Sequence, residues 1–191
     1  MMEKEEQNPI IIREDHAEVL VSSPKYGDRA IFIDISDVEK IKSYRWYIGK
    51  NRSTYYAQTN VKQSNGESIT LRIHNLLCET DGHLVDHIDR NGLNNRRTNL
   101  RRSTDTQNQA NRGPQRNNRS SGYKNVSYQK PKKPHHAPLR KPWYVVVQKD
   151  HKDHRFGYYE TIEEAVAAAN RGRKELSGEF AHQETYTGDK R

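Results

Sequence analysis

Hydrophobic and polar positions alternate along the first third of the chain as they do in half-buried strands. The alternation covers Ile10–Arg13, His16–Val21 and Ala30–Asp34, with a turn at Pro24–Asp28. Ser36 followed by Glu39 is a capping box for a short helix whose buried side is Val38 and Ile41. Tyr44, Trp46 and Tyr47 open an aromatic strand, and Tyr55–Gln63 is another. Asn65-Gly66 between that strand and Ser68–His74 predicts a hairpin. Residues 28–74 thus form a small antiparallel sheet with one short helix, a scaffold, and His74–Leu77 begins a helical turn.

The pattern changes at Leu84, where almost nothing in the next thirty residues is apolar enough for a core. Leu84-Val85 is a short strand ending on Asp86-His87, Asn91-Gly92 is a turn, and Asn99-Leu100-Arg101 is a returning strand with Leu100 inward. Thr104 with Gln107 is a second capping box, opening a helix that carries Asn108 and Asn111. Beyond Arg112 the run Gly113–Gly122 has linker composition. Tyr123–Gln129, Trp143–Lys149 and Arg155–Glu160 then predict three strands, broken by a Lys/Pro-rich loop at Lys130–Pro142 and a turn at Asp150–Asp153. Thr161 caps a helix that buries Ile162, Ala165, Val166, Ala169 and Leu176 and ends at Gly178.

Composition narrows the class. Of 191 residues only 31% are hydrophobic, so any core is modest and divided. A formal charge of +8 favours a polyanionic partner, nucleic acid first. Cys78 is the only cysteine, which excludes a disulfide framework and a multi-cysteine zinc site and fits a reducing cytoplasm. Ile10–Ile12 is too short for a signal or membrane segment, so the expectation is a soluble cytoplasmic protein with no membrane partner.

The polar central stretch offers one carboxylate, one imidazole and several amides. A hard divalent cation needs few protein oxygens when waters and phosphate supply the rest. An imidazole near its ordinary pKa of about 6.5 is largely neutral at cytoplasmic pH and can take a proton from water. Basic residues crowd the same region, with only Asp86, Asp89 and Asp105 between Asp86 and Lys133 to oppose them. Asp89 is expected to be a solvated carboxylate beside the turn.

Asp86-His87-Ile88-Asp89, Asn91-Gly92-Leu93-Asn94-Asn95-Arg96, Asn99-Leu100-Arg101 and then Gln107-Asn108 with Asn111 resemble the HNH nucleases of the ββα-metal (His-Me finger) group. The branch is the one common in phages and mobile introns, with asparagine as third motif residue. Tyr44-Arg45-Trp46, Tyr55-Tyr56-Ala57 and Ile73-His74-Asn75-Leu76 resemble its lead-in, departing at Asn75, where arginine is usual. The resemblance implies a homing-type, site-preferring DNA endonuclease with His87 as general base and Asn99 orienting that histidine's loop. It implies one divalent ion on Asp86 and Asn108, Mg²⁺ first and Mn²⁺ as alternative, and double-stranded DNA as partner. His74, Arg96, Arg97, Arg101 and Arg102 are the candidate DNA contacts, with a satisfied surface or core histidine the alternative for His74 and one of each arginine pair expected to face away.

Ser121–Ala181 is similar to the Apetala/ethylene-response-factor type of DNA-binding domain, in which a three-stranded sheet backed by a helix reads the major groove. Lys124, Tyr128, Arg140, Lys141 and Trp143 are its candidate DNA-facing residues, with core packing the alternative for Trp143. His135 and His136 are loop residues without metal partners. The expected fold is α+β: a ββα-metal module preceded by a small antiparallel sheet, then a three-stranded antiparallel sheet packed on one helix. The expected division is an N-terminal β segment (1–27), the nuclease domain with its lead-in (28–112), a basic linker (113–121), the Apetala-like domain (122–182) and a tail (183–191). The rival reading is a non-catalytic DNA-binding regulator with a degenerate nuclease module.

Overall fold

The structure, a computed structural model, describes residues 7–52, 54–79, 83–114, 118, 120–131 and 137–188. The linker residues Arg116 and Arg119, and the loop residues Lys132, Lys133, His135 and His136, lie outside the described residues. The chain divides into two compact units, Met1–Asp105 and Thr106–Arg191. Both are built from small antiparallel sheets with few helices, an α+β class.

In the first unit β1 (Ile10–Ile12), β2 (Ala17–Val21) and β3 (Arg29–Ile33) form one antiparallel sheet in that order. Register pairs Ala17 with Ile33 and Val19 with Ile31, so all the buried members of the alternation fall on one face. The expected boundary at residue 27 falls inside the β2–β3 connection. The N-terminal β segment therefore shares one core with the rest of the unit. A second sheet runs β4 (Tyr47–Asn51), β5 (Thr54–Lys62), β6 (Ser68–Arg72). Trp46, expected inside a strand, precedes β4; it is fully buried among both sheets and donates its indole N–H to the Ile41 carbonyl at 3.0 Å.

Two short helices complete this core: α1 (Val38–Ile41) and α2 (Ile73–Cys78), the latter containing the helical turn expected at His74–Leu77 and starting one residue earlier, so that the preceding strand is shorter than the alternation implies. The capping box of Ser36 and Glu39 does not form. A 3₁₀ turn at Ile35–Asp37 leads into α1, whose N-cap is Asp37 without a side-chain cap bond. The buried Asp37 carboxylate takes a bidentate guanidinium from Arg97 instead, a stronger charge-assisted contact than a surface cap. A hairpin of β7 (Leu84–His87) and β8 (Leu100–Ser103) then rests on the core and leads to α3 (Asp105–Asn111).

The loop of that hairpin is docked by backbone. Phe32 N–H donates to Leu93 O at 2.8 Å, and Asn95 N–H donates to Phe32 O at 2.7 Å, extending β3 by a parallel bridge. Leu93 enters the same apolar cluster as Ile31 and Trp46.

The second unit has β9 (Val126–Tyr128), β10 (Trp143–Lys149) and β11 (Lys152–Tyr159), ordered β11-β10-β9, with α4 (Ile162–Ser177) packed on one face. Asp150 and His151 both have positive φ, the geometry of a two-residue hairpin turn matched to strand twist. Thr161 and Glu164 form the reciprocal capping box of α4, and Gly178 ends it at φ 56°. Among the described residues no helix is long and apolar enough to cross a membrane.

Gly92 shows how tightly the loop is seated. A Cβ there would lie 2.4 Å from the Tyr55 carbonyl oxygen and 2.6 Å from the Tyr56 ring. Because backbone is in the way, Gly92→Ala is expected to lower stability by about 1–3 kcal/mol, the usual range for overpacking. Urea denaturation checks this, and an unchanged midpoint would show that the loop stands off β5.

Candidate active site

The turn between β7 and β8 is written almost entirely in asparagine and aspartate side chains. Asp89 Oδ1 accepts from Asn91 N–H at 2.8 Å and Asp89 Oδ2 from Asn94 Nδ2 at 2.7 Å. Asn91 Oδ1 accepts from Leu93 N–H at 3.1 Å. These are the local side-chain turns that Asx residues favour. Asn99, buried at the end of a 3₁₀ turn (Arg97–Asn99) just before β8, ties both arms: its Oδ1 accepts from Asp89 N–H at 2.9 Å, and its Nδ2 donates to Asp89 Oδ1 at 2.9 Å and Asn94 O at 2.7 Å. Asp89 is exposed beside the turn, as expected of a solvated carboxylate, and its hydrogen bonds also organise the loop.

Asp86 and His87 end β7, and both are 5% exposed. Strand alternation would send one outward; the loop and core enclose both. His87 Nε2 lies 3.2 Å from Asn95 Oδ1. Its ring meets the His74 ring edge to face at 4.9 Å, and Tyr56 sits against both rings at 6.0 and 5.8 Å. Burial lowers the His87 pKa below 6.5, against the opposing pull of the Asn95 hydrogen bond and of Asp89 and Asp86. Burial, then the charges of His87 and Arg72, lower His74 to about 3. His87 is therefore a neutral imidazole near pH 7, the state that can accept a proton.

Asp86 faces Arg101 across the ladder, and Arg101 donates to Asp86 Oδ2 from Nε at 2.9 Å and Nη2 at 2.7 Å. This pairing compensates a buried carboxylate. It also corrects the assignment of Arg101 to DNA. Arg96 donates to Asp15 Oδ2 at 2.9 Å, while Arg97 holds Asp37 at 2.5 and 3.0 Å and its backbone N–H reaches Asp34 Oδ2 at 2.8 Å. Both arginines fasten the loop to the N-terminal sheet and its 3₁₀ turn. Arg102 is exposed on the other side of β8, and His74 is buried against His87 and not at the surface.

The donor set suits a hard ion. Among the described residues no three His, Cys, Asp or Glu side chains gather into a metal cluster. One carboxylate beside a neutral imidazole is compatible with a divalent cation that keeps waters and accepts phosphate oxygens. Asn108 lies on α3, in the second unit, and its donor role stays with the resemblance.

Residues 78–110 match the HNH endonuclease family. The chain is also 35% identical over 100 residues to Protein 3.8 of Escherichia phage T7, an alignment spanning 52% of this chain and 74% of that protein. The chain belongs to the Protein 3.8 family and carries an HNH endonuclease segment. No solved structure matches it. The HNH segment takes in β7, the Asx-built loop, β8 and most of α3.

That match ends at residue 110, and the second unit's candidates divide on inspection. Trp143 is 6% exposed in the core beneath α4, with Tyr128 edge-on at 5.0 Å, so its DNA-facing assignment is corrected to packing. Lys124 Nζ donates to the carbonyls of Ala110 at 2.7 Å and Arg112 at 2.5 Å, closing the C-terminal end of α3. Its assignment is corrected likewise. Arg140, paired with Glu160 at 2.9 Å, and Lys141 are exposed. The face of the sheet turned from α4 carries Tyr144 opposite Tyr158, with Arg155 opposite Val146. The alternation of WYVVVQK defines that face only once α4 fixes the other. Asn95 is likewise silent in sequence, except that it shares parity with the buried Leu93 in an extended segment.

His74 gives this site a pH signature. Its folded pKa of about 3 lies below the ordinary 6.5, so the stability it contributes is present above pH 6.5 and lost as pH falls through that window. The slope is about 1.4 kcal/mol per pH unit. The urea midpoint of the full chain is expected to fall between about pH 6.5 and pH 5, less steeply in His74→Phe. Equal slopes for the two proteins would contradict the burial argument.

Proposed function

We propose that the chain is a metal-dependent DNA endonuclease of the homing type, cutting by hydrolysis at the Asp86–His87 end of β7. The observation that carries this reading is the buried Asp86–His87 pair, with a neutral imidazole, inside the segment that matches the HNH endonuclease family. His87 takes a proton from the water that attacks phosphorus, and the 3′ oxygen departs in line, leaving 5′-phosphate and 3′-hydroxyl ends. Asn99 holds the loop that fixes where the imidazole sits. The Asp86 carboxylate, with the Asn108 amide carried over by resemblance, is the expected seat of Mg²⁺ or Mn²⁺. When bound, such an ion polarises the phosphate and stabilises the charge that develops on the leaving oxygen.

Duplex DNA is the substrate that the basic surface favours, and backbone contacts would make binding salt-dependent. Arg102 is an exposed arginine on β8 and is proposed to contact phosphate. The second unit, a sheet with one open face bearing Tyr144, Arg155 and Tyr158, is proposed to supply site preference in the Apetala-like manner, with Arg140 and Lys141 at its edge. The proposed division of labour is then a cutting segment running from Asp86 to Asn108 and a reading sheet backed by α4, with the basic stretch 113–121, itself part of the second compact unit, between them in sequence.

Conversion of supercoiled plasmid to nicked or linear DNA tests the proposal. Cutting is expected with Mg²⁺, not with EDTA, and Asp86→Ala is expected to slow it roughly a hundredfold or more, since the lost charge stabilisation is several kcal/mol. DNA binding without any cutting under these conditions would favour the regulator reading instead.

A further inference from the structure

We infer that Asn95 is a positioning residue that fixes the tautomer of His87, keeping its proton on Nε2 and its basic lone pair on Nδ1. The tautomer follows from geometry; its catalytic consequence rests on the nuclease reading above. Asn95 is 0% exposed, so its amide must find partners within the protein. Its Nδ2 donates to Gly92 O at 3.5 Å and its Oδ1 lies 3.2 Å from His87 Nε2.

Turning the amide over would set Oδ1 against the Gly92 carbonyl, acceptor against acceptor, so that carbonyl decides the orientation. An amide oxygen only accepts. The hydrogen in the Asn95–His87 contact therefore belongs to Nε2, and a neutral imidazole has only one. The frame around this contact is fixed. Asn95 N–H is bonded to Phe32 O at 2.7 Å, and Gly92 is wedged against the Tyr55 carbonyl. The His74 ring stands at 84° to the His87 ring, limiting its rotation. Removing Asn95 Oδ1 removes the acceptor that holds the proton on Nε2, so the lone pair would be on Nδ1 less of the time.

The test uses the ¹⁵N-labelled full chain without metal or DNA. Long-range proton–nitrogen correlation reads which ring nitrogen of each histidine carries hydrogen, and the His87 signals are those absent from His87→Gln. A single Nε2–H tautomer is expected for His87. Asn95→Leu removes the acceptor at similar volume; a mixture of tautomers is expected, with kcat for cleavage lowered roughly ten- to a hundredfold and DNA affinity unchanged. Asn95→Ala removes the same acceptor without adding apolar bulk and should show the same mixture, while chemical shifts elsewhere in the first unit that match the wild type separate loss of the acceptor from damage to the fold. Should Asn95→Leu fail to fold, Asn95→Ala decides, an unaltered Nε2–H form there overturning the inference. A proton on Nδ1 of His87 in the wild type, or an unaltered Nε2–H form in Asn95→Leu, would overturn the inference. A wild type that shows the Nε2–H form yet cuts no DNA would overturn the nuclease reading, and with it the catalytic role of Asn95.

Discussion

Two backbone hydrogen bonds, Phe32 N–H to Leu93 O and Asn95 N–H to Phe32 O, hold a loop of nearly pure polar residues against an apolar core. The loop has little hydrophobic surface of its own; Leu93 is its one side chain in the cluster, so docking depends on this extension of β3. Everything at the site hangs from it. Asn95 follows directly and meets His87, Gly92 presses on β5, and Arg96 and Arg97 find their acids on β3's side of the molecule. The N-terminal sheet is thus a structural part of the HNH segment's support.

Charge is arranged by the same logic. Asp86 and Asp37 are almost fully buried, and a buried carboxylate without a partner would be costly. Arg101 and Arg97 answer them with two-nitrogen contacts. Part of the basic character near the site is therefore committed to ion pairs, with Arg101 largely buried and Arg97 half exposed. The second unit repeats this pattern with Lys124, whose ammonium closes α3.

Elements were legible where one local rule dominated. WYVVVQK alternates cleanly and forms β10 at its expected limits, and Thr161 with Glu164 makes the expected cap. Asp86 and His87 end β7 as the short apolar segment implies. Long-range partners were not legible. Arg96 and Arg97 meet acids 81 and 60 residues away, and nothing near them in the chain marks the pairing. The same distant partner removed the helix cap expected of Ser36, since Asp37 serves Arg97. Trp143 could be placed only when α4 chose a face of the sheet. Asn95 looked like one amide among many until its contact with His87 separated it from the rest.

We propose that a buried, neutral His87 performs the proton transfer in DNA cleavage. Single-turnover cleavage of duplex DNA by His87→Ala, with DNA binding measured on the same samples, tests it most directly. Binding is expected to persist while the cleavage rate falls by roughly 10²–10⁴-fold, the usual contribution of a positioned general base. Cleavage at the wild-type rate with binding intact would contradict the assignment.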